Sequence, residues 1–332
     1  MENILLAHGG GGRLTKKLIE EIFISELGNE VLSKLDDSAI FEHEGGKLAF
    51  TTDSYVVNPI FFPGGDIGKL AVYGTVNDLS VAGARPLYIS LGLIIEEGFP
   101  IDELKKIVKS IKEAASFAKV KIVCGDTKVV EKGSADKIFI NTSGIGKIIS
   151  HEISSTKALP GDKVILSGSI GDHGIAVLQA RAQIHFKSNI ESDCAPLNAL
   201  VEKMLSSKNS VHAMRDPTRG GLATLLNEIA KSSNVNIFIN EEKIPIKEEV
   251  RGACELLGLD PLYLANEGKL VAFVDGKTAE GILSRMKKDP NGIDASIIGE
   301  AKKGKGTVIL KTKIGGERIV DTFSGEQLPR IC

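Results

Sequence analysis

No apolar run in the 332 residues approaches the roughly 20 that a helix needs to cross a bilayer, so no membrane partner is expected. Charge of one sign is also missing. Lysine and arginine total 41 against 43 aspartates and glutamates, a formal charge of −2, and no like-charged run exceeds a few residues. Binding to a phosphate backbone needs a basic face, so a nucleic-acid partner is not expected either. The opening MENILLAHGGGG has neither the basic start nor the small-residue cleavage site of a secretory signal, and the expectation is a cytoplasmic protein. Cysteine is scarce: Cys124, Cys194, Cys254 and Cys332 lie far apart with no CxxC pair. That spacing suits neither a zinc site nor a disulfide framework. Cys124 and Cys254 fall in apolar segments and are expected to be small buried residues. Cys332 differs in being the last residue.

Glycine, by contrast, is plentiful, with 36 residues against an average usage near 7%. The glycines cluster, which points to tight turns and close backbone approach to a ligand. The length suggests about two domains. Helix-like and strand-like stretches alternate: helices over Leu14–Leu27, Ile67–Val81 and Ile101–Phe117, with strands at Ala39–Phe41, Lys47–Thr52, 84–95, Val120–Cys124 and Lys137–Ile148. The polar stretch His151–Asp162 interrupts the pattern. Alternation then resumes with strands at Lys163–Ser167, Val235–Ile239, Lys269–Val274 and Thr307–Leu310. Helices are expected at Gly174–Ala182, Pro196–Ser206 and after Gly220. The order is not a clean βαβ repeat, so an α+β fold of mixed sheets is expected rather than a doubly wound parallel one. The expected division is 1–150, 151–320 and a flexible tail, 321–332.

Four constellations carry candidate chemistry. His8-Gly9-Gly10-Gly11-Gly12-Arg13 stands directly before a helix; its amides can point at a phosphate, the alternative being a floppy terminus. Its spacing is not that of a P-loop. Asp37, Asp53, Asp78 and Asp126 each sit in a short motif of small residues at or near an apolar segment. A carboxylate there is costly unless paired or metal-bound, and hard oxygen ligands suit Mg²⁺; helix capping is the alternative for any one of them. Lys128 is placed to pair with a phosphate or to be solvated. Arg215-Asp216-Pro217-Thr218-Arg219-Gly220-Gly221 is a candidate anion site or hinge, and Gly168–Gly174 repeats its strand-to-helix setting. In Asn266-Glu267-Gly268 a carboxylate precedes a strand, as a catalytic acid or base or as an ordinary turn residue. The polar tail ending Pro329-Arg330-Ile331-Cys332 suits a thiol carrier that swings between sites.

Together HGGGGR (8–13), DDSA (36–39), TTDSYVV (51–57), GTVNDLSVAGARP (74–86), GDTKVV (125–130), RDPTRGGLA (215–223), NEG (266–268) and the terminal PRIC resemble the HypE-type hydrogenase maturation proteins, carbamoyl dehydratases. These lie within the PurM-like superfamily of aminoimidazole-ribonucleotide synthetase, and the motifs span nearly the whole chain in order. The resemblance implies a PurM-like two-domain fold, the first domain forming a dimeric β-barrel core with ATP near the interface and a C-terminal α/β domain closing over it. It implies that a HypF-type carbamoyltransferase loads the terminal cysteine. ATP-dependent dehydration then leaves a thiocyanate, whose cyanide passes to iron on a HypC–HypD scaffold for the [NiFe]-hydrogenase site. Under it Cys332 is the acceptor and Glu267 the candidate base, while Arg215 and Arg219 act on phosphate or tail. Gly9, Gly10, Gly11, Gly12, Asp53, Asn77, Asp126 and Lys128 bind ATP, and Asp37, Asp53, Asp78 and Asp126 bind Mg²⁺. Rival readings are selenophosphate synthetase, thiamine-monophosphate kinase, aminoimidazole-ribonucleotide synthetase, or a non-catalytic nucleotide-binding carrier. The first expects a reactive residue in the N-terminal glycine region, and no cysteine precedes Cys124.

Overall fold

The structure is a computed structural model describing residues 4–150, 153–182, 190–206, 210–322, 328 and 330–332. The chain enters through α1 (Arg13–Leu18), which winds through a π-helical stretch (Ile19–Ile24) into α2 (Ser25–Leu27). The first sheet follows: β1 (Ala39–His43), β2 (Gly46–Tyr55), the small hairpin β3 (Phe61–Phe62) and β4 (Gly65–Asp66), then α3 (Ile67–Val81), β5 (Ala84–Glu96), α4 (Ile101–Ala118), β6 (Lys121–Val130) and β7 (Ile138–Ile148). Five strands pair in the order β1-β2-β7-β5-β6. All pairs are antiparallel except β5 with β6, the one pair joined by a helical crossover, α4, which a parallel pairing requires.

Helix α3 explains why the first domain is built as it is. Asp66 caps it, its carboxylate accepting hydrogen bonds from the amides of Gly68 (2.8 Å) and Lys69 (3.1 Å). Such a cap contributes about 1 kcal/mol. The helix is apolar almost all round and buried along most of its length, the mark of a helix enclosed on several sides. It packs on β2, β5, β7 and α4 and also touches α6 of the second domain, so the side chains of Asn77 and Asp78 meet residues from the other half of the chain. Gly74 is required for this fit, because a Cβ there would lie 2.1 Å from the hydroxyl of Tyr55.

The other face of the sheet is uncovered. β2 alternates, burying Ala49, Thr51 and Tyr55 while exposing Phe50, Thr52 and Ser54. Phe41, Phe50, Tyr88 and Ile94 are each at least 40% exposed, and the edge strand β6 is exposed over most of its length. Cys124, expected to be buried, is exposed for this reason; Cys194 and Cys254 are buried.

The second domain comprises β8 (Lys163–Leu166), α5 (Asp172–Ala182), α6 (Asn198–Met204), β9 (Val211–Arg215), α7 (Gly221–Ser232), β10 (Val235–Asn240), α8 (Glu248–Leu257), β11 (Val271–Val274), α9 (Ala279–Met286), β12 (Ser296–Lys303), β13 (Val308–Lys311) and β14 (Glu317–Val320). Its sheet runs β14-β13-β10-β12-β8-β11-β9, with β10–β13 as its parallel pair. Both sheets are therefore mixed, as expected. The neighbouring inner strands β8 and β11 are buried on both faces, between α7 on one side and α6 and α9 on the other. No helix among the described residues is long and apolar enough to cross a membrane.

Candidate active site

Three carboxylates from distant parts of the chain converge where the domains meet. Asp37, before β1, Asp78, on α3, and Asp216, just after β9, each offer an oxygen within 4.8 Å of the others. Burial, then the fields of Asp53, Asp216 and Asp37, push Asp78 well above the usual carboxylate range. Burial and Asp37 push Asp216 up to about 8 despite Arg215. Asp37 is also raised by burial, opposed by Arg215. Asp78 also accepts a hydrogen bond from the Thr51 hydroxyl at 2.8 Å. Such a set of hard donors, held close against mutual repulsion, fits a divalent cation of the Mg²⁺ type.

Beside this trio lies a cleft of about 200 Å³ lined by Gly9, Gly10, Gly12, Arg219, Thr224 and Cys332. Arg219 is raised chiefly by Cys332 and secondarily by Asp53 and Glu267; its guanidinium stands 4.0 Å from the Asp53 carboxylate. The tail is not loose where it is described. Val56 donates its amide hydrogen to a main-chain carboxylate oxygen of Cys332 (3.1 Å) and Asn58 to the carbonyl of Arg330 (3.2 Å). Ile331 is 6% exposed, and Arg330 pairs with Asp136 and donates to the carbonyl of Val56. The expected flexible tail, 321–332, thus has a docked end; residues 323–327 and 329 lie outside the described residues.

Glu267 is 3% exposed, and its Oε1 has no hydrogen-bond partner among the described residues. Burial, then Asp216, Asp193 and Asp53, raise it well above the usual range, opposed by Arg219. The turn bearing it is held from behind. The carboxylate of Asp193 accepts from the amides of Glu267 (3.1 Å) and Gly268 (3.2 Å), and Lys269 pairs with it at 3.2 Å.

The site differs in several respects from the residue set expected of the sequence. Asp126, expected as a metal ligand, is on the edge strand β6, separated from β2 by β7 and β5. Three strand spacings put it roughly 14 Å from β2, and its side chain is exposed with Lys128 as partner at 2.9 Å. Neither residue reaches the trio within one chain. Asn77, expected at the nucleotide, is 1% exposed and used up structurally: its amide donates to the carbonyls of Ala195 and Glu267 and accepts from the amide of Leu197. Arg215, expected at phosphate or tail, is committed to Asp37 (2.6 Å) and Glu228 (2.7 Å). Asp216, which the trio brings beside Asp37 and Asp78, was not among the expected ligands, although its place past a strand end, before a proline, matched the signal used for the other aspartates. Asp53 lies outside the trio but within its field.

Comparisons with known proteins bear on the chain as a whole. Residues 35–148 match the model for the AIR synthase related protein, N-terminal domain, and residues 160–311 the one for the AIR synthase related protein, C-terminal domain. The carbamoyl dehydratase HypE of Azotobacter vinelandii is 49% identical over 99% of this chain and 97% of that protein. The chain belongs to the HypE carbamoyl dehydratase family. A solved HypE–HypF complex matches with a TM-score of 0.89 at 54% identity, over 92% of this chain and 99% of that one. A hydrogenase maturation protein HypE solved with ATP matches with a TM-score of 0.84 at 48% identity, over 99% and 100%. Membership in the HypE family bears out the resemblance read from the motifs and, with it, the enzyme class: a carbamoyl dehydratase of hydrogenase maturation.

Proposed function

We propose that the chain binds ATP over the glycine loop and uses it to dehydrate a carbamoyl group carried on Cys332. The observation that carries this reading is the docking of Cys332 in the cleft shared by Gly9, Gly10, Gly12 and Arg219. In the first step the carbamoyl oxygen bonds to the γ-phosphorus, ADP leaves, and one N–H proton is lost. In the second, the remaining N–H proton departs and the C–O bond breaks, expelling inorganic phosphate and forming the C≡N bond of a thiocyanate. Phosphoryl transfer of this kind relies on positioning and charge neutralisation. In the glycine loop the amide of Gly9 donates to Leu6 and that of Gly11 to Thr15, so Gly10 and Gly12 would supply the amides that meet the phosphates at the start of a helix, and Arg219 offsets developing charge. Glu267, crowded by Asp216 and Asp193, gains by accepting a proton and serves as base. Asp37, Asp78 and Asp216 would hold Mg²⁺, which supplies the positive charge that ATP phosphates require.

The uncovered sheet face and open edge of β6 favour a second copy of this chain as the homodimer partner, since exposed apolar patches and unpaired edges call for a cover. Asp126 and Lys128 would then act on the partner's cleft. A HypF-type carbamoyltransferase is the proposed source of the carbamoyl group and a HypC–HypD scaffold its acceptor. The compartment is taken to be the cytoplasm, where the terminal thiol stays reduced. The experiment is a mass measurement of the C-terminal peptide after incubation with carbamoyltransferase, carbamoyl phosphate and MgATP. Gain of one carbamoyl group on Cys332 followed by ATP-dependent loss of one water is expected. ATP consumption with Cys332 unmodified would overturn the reading.

A further inference from the structure

Four consecutive residues, Ser192-Asp193-Cys194-Ala195, run between the docked tail and the turn that bears Glu267. At one end the amide of Ser192 donates to the carbonyl of Pro63 (2.9 Å). Its hydroxyl lies 2.8 Å from Nδ1 of His173, and Nε2 of His173 lies 2.8 Å from the carbonyl of Ile331. The imidazole is fully buried, sits edge-on to Phe62 with ring centroids 5.4 Å apart, and is kept neutral by burial. A neutral ring has one donor and one acceptor; Nε2 donates to Ile331 and Nδ1 accepts from Ser192. In the middle, Asp193 is 2% exposed in its side chain and grips the Glu267 turn through two amides. At the far end the carbonyl of Ala195 shares the Asn77 amide with that of Glu267. The contact is close: a Cβ on Gly268 would fall 1.9 Å from the carbonyl oxygen of Asp193, and one on Gly64 2.7 Å from the amide nitrogen of Ser192.

We infer that this segment is a gauge that fixes the terminal thiol against Glu267, with His173 as the positioning residue on the tail side and Asp193 on the Glu267 side. Its place in catalysis rests on the dehydratase reading. Its contacts with the tail do not, and the test separates the two. In the uncharged full-length protein, the alkylation rate of Cys332 by N-ethylmaleimide, read on the C-terminal peptide, reports docking alone. In the carbamoylated protein at saturating MgATP, the single-turnover loss of water reports chemistry.

His173→Ala is expected to speed alkylation and slow water loss, each by about tenfold, the scale of one buried hydrogen bond, with ATP affinity unchanged. His173→Gln, whose side-chain amide can donate to the same carbonyl, is expected to restore most of both. Asp193→Asn is expected to slow water loss about tenfold while leaving alkylation as it was, because it loosens only the Glu267 side. Wild-type rates of both processes in His173→Ala overturn the inference, as does an Asp193→Asn variant that frees the tail instead. Should His173→Ala fail to fold, Ser192→Ala decides the same point: faster alkylation supports the gauge and an unchanged rate overturns it. If even the wild type loses no water, the proposed function fails, and the alkylation rates still decide the tail contact.

Discussion

A Cβ placed on Gly11 would stand 2.8 Å from the Cβ of Arg219 and 2.9 Å from its carbonyl oxygen. The glycine loop and the second domain therefore touch backbone to backbone, across 208 positions of sequence, at the wall of the cleft. Gly11 also has a φ of +76°, a region that costs a side chain about 1 kcal/mol or more. Gly11→Ala is expected to displace Arg219 and weaken ATP binding at least about tenfold, which is 1.4 kcal/mol, with little loss of secondary structure. Isothermal titration and circular dichroism measure the two.

The aspartate trio makes stability depend on pH in a direction opposite to that of an ordinary surface carboxylate. Asp216 is raised to about 8 and Asp78 is raised well above its usual range, so the folded chain without metal binds more protons than the unfolded one. Stability is then full below the unfolded carboxylate value, near 4, and is lost as pH climbs towards about 8. The slope reaches about 1.4 kcal/mol per pH unit for each such group. Thermal melts in EDTA are expected to fall across that window, and added Mg²⁺ is expected to flatten the fall. Asp78→Asn should remove its own share of the slope and the Mg²⁺-dependent turnover together.

Glu267→Gln keeps the shape of the side chain and removes its charge. Loss of a positioned base costs 10²–10⁴ in rate, and water loss from the carbamoylated chain is expected to slow by about that range. Because burial and three neighbouring carboxylates disfavour the charged form of Glu267, the same variant is expected to melt no lower than the wild type at pH 8. A drop in both activity and melting temperature would assign Glu267 a structural role instead.

Cys332→Ala is expected to abolish thiocyanate formation and leave ATP binding intact, since the tail pairs with residues 56–58 through main-chain atoms. Loss of nucleotide binding in this variant, measured by titration, would show the thiol to be part of the nucleotide site.

The uncovered sheet face yields a prediction about mass in solution. Tyr88→Glu with Ile94→Glu places charge on two side chains, 46% and 44% exposed in the single chain, that share this face. Sedimentation is expected to show a dimer for the wild type and a monomer for the double variant.

Much of the fold was legible because its signals are local. The apolar run of α3 and the amphipathic pattern of α4 appear at nearly their observed limits. The strands β9, β12 and β14 were missed because charged or polar residues such as His212, Glu300 and Glu317 interrupt their apolar pattern, whereas the equally short β8, β11 and β13 are more continuously apolar. The candidate site was legible as residue types and only partly as partnerships. Asp37 and Arg215 both stood out in sequence, but their 2.6 Å ion pair joins positions 178 residues apart, and no spacing encodes that. Asn77 lay in a motif beside Asp78, yet helical geometry turns neighbouring residues to different faces, one to the trio and the other to the Glu267 turn. His173 and Asp193 carried no motif that pointed to the tail. Their roles arise only when 62–64, 173, 192–195 and 331 are brought together.

Asn77 reaches from the first domain into two loops of the second, and behind it the Arg215–Asp37 pair spans the same joint. Two such rivets leave the body of the molecule little freedom to gape. Under the proposed function, exchange of the carbamoyl group would then fall to the lightest part of the chain, its last few residues. Such an arrangement would let the reaction chamber hold its shape through a whole delivery cycle while only the courier moves.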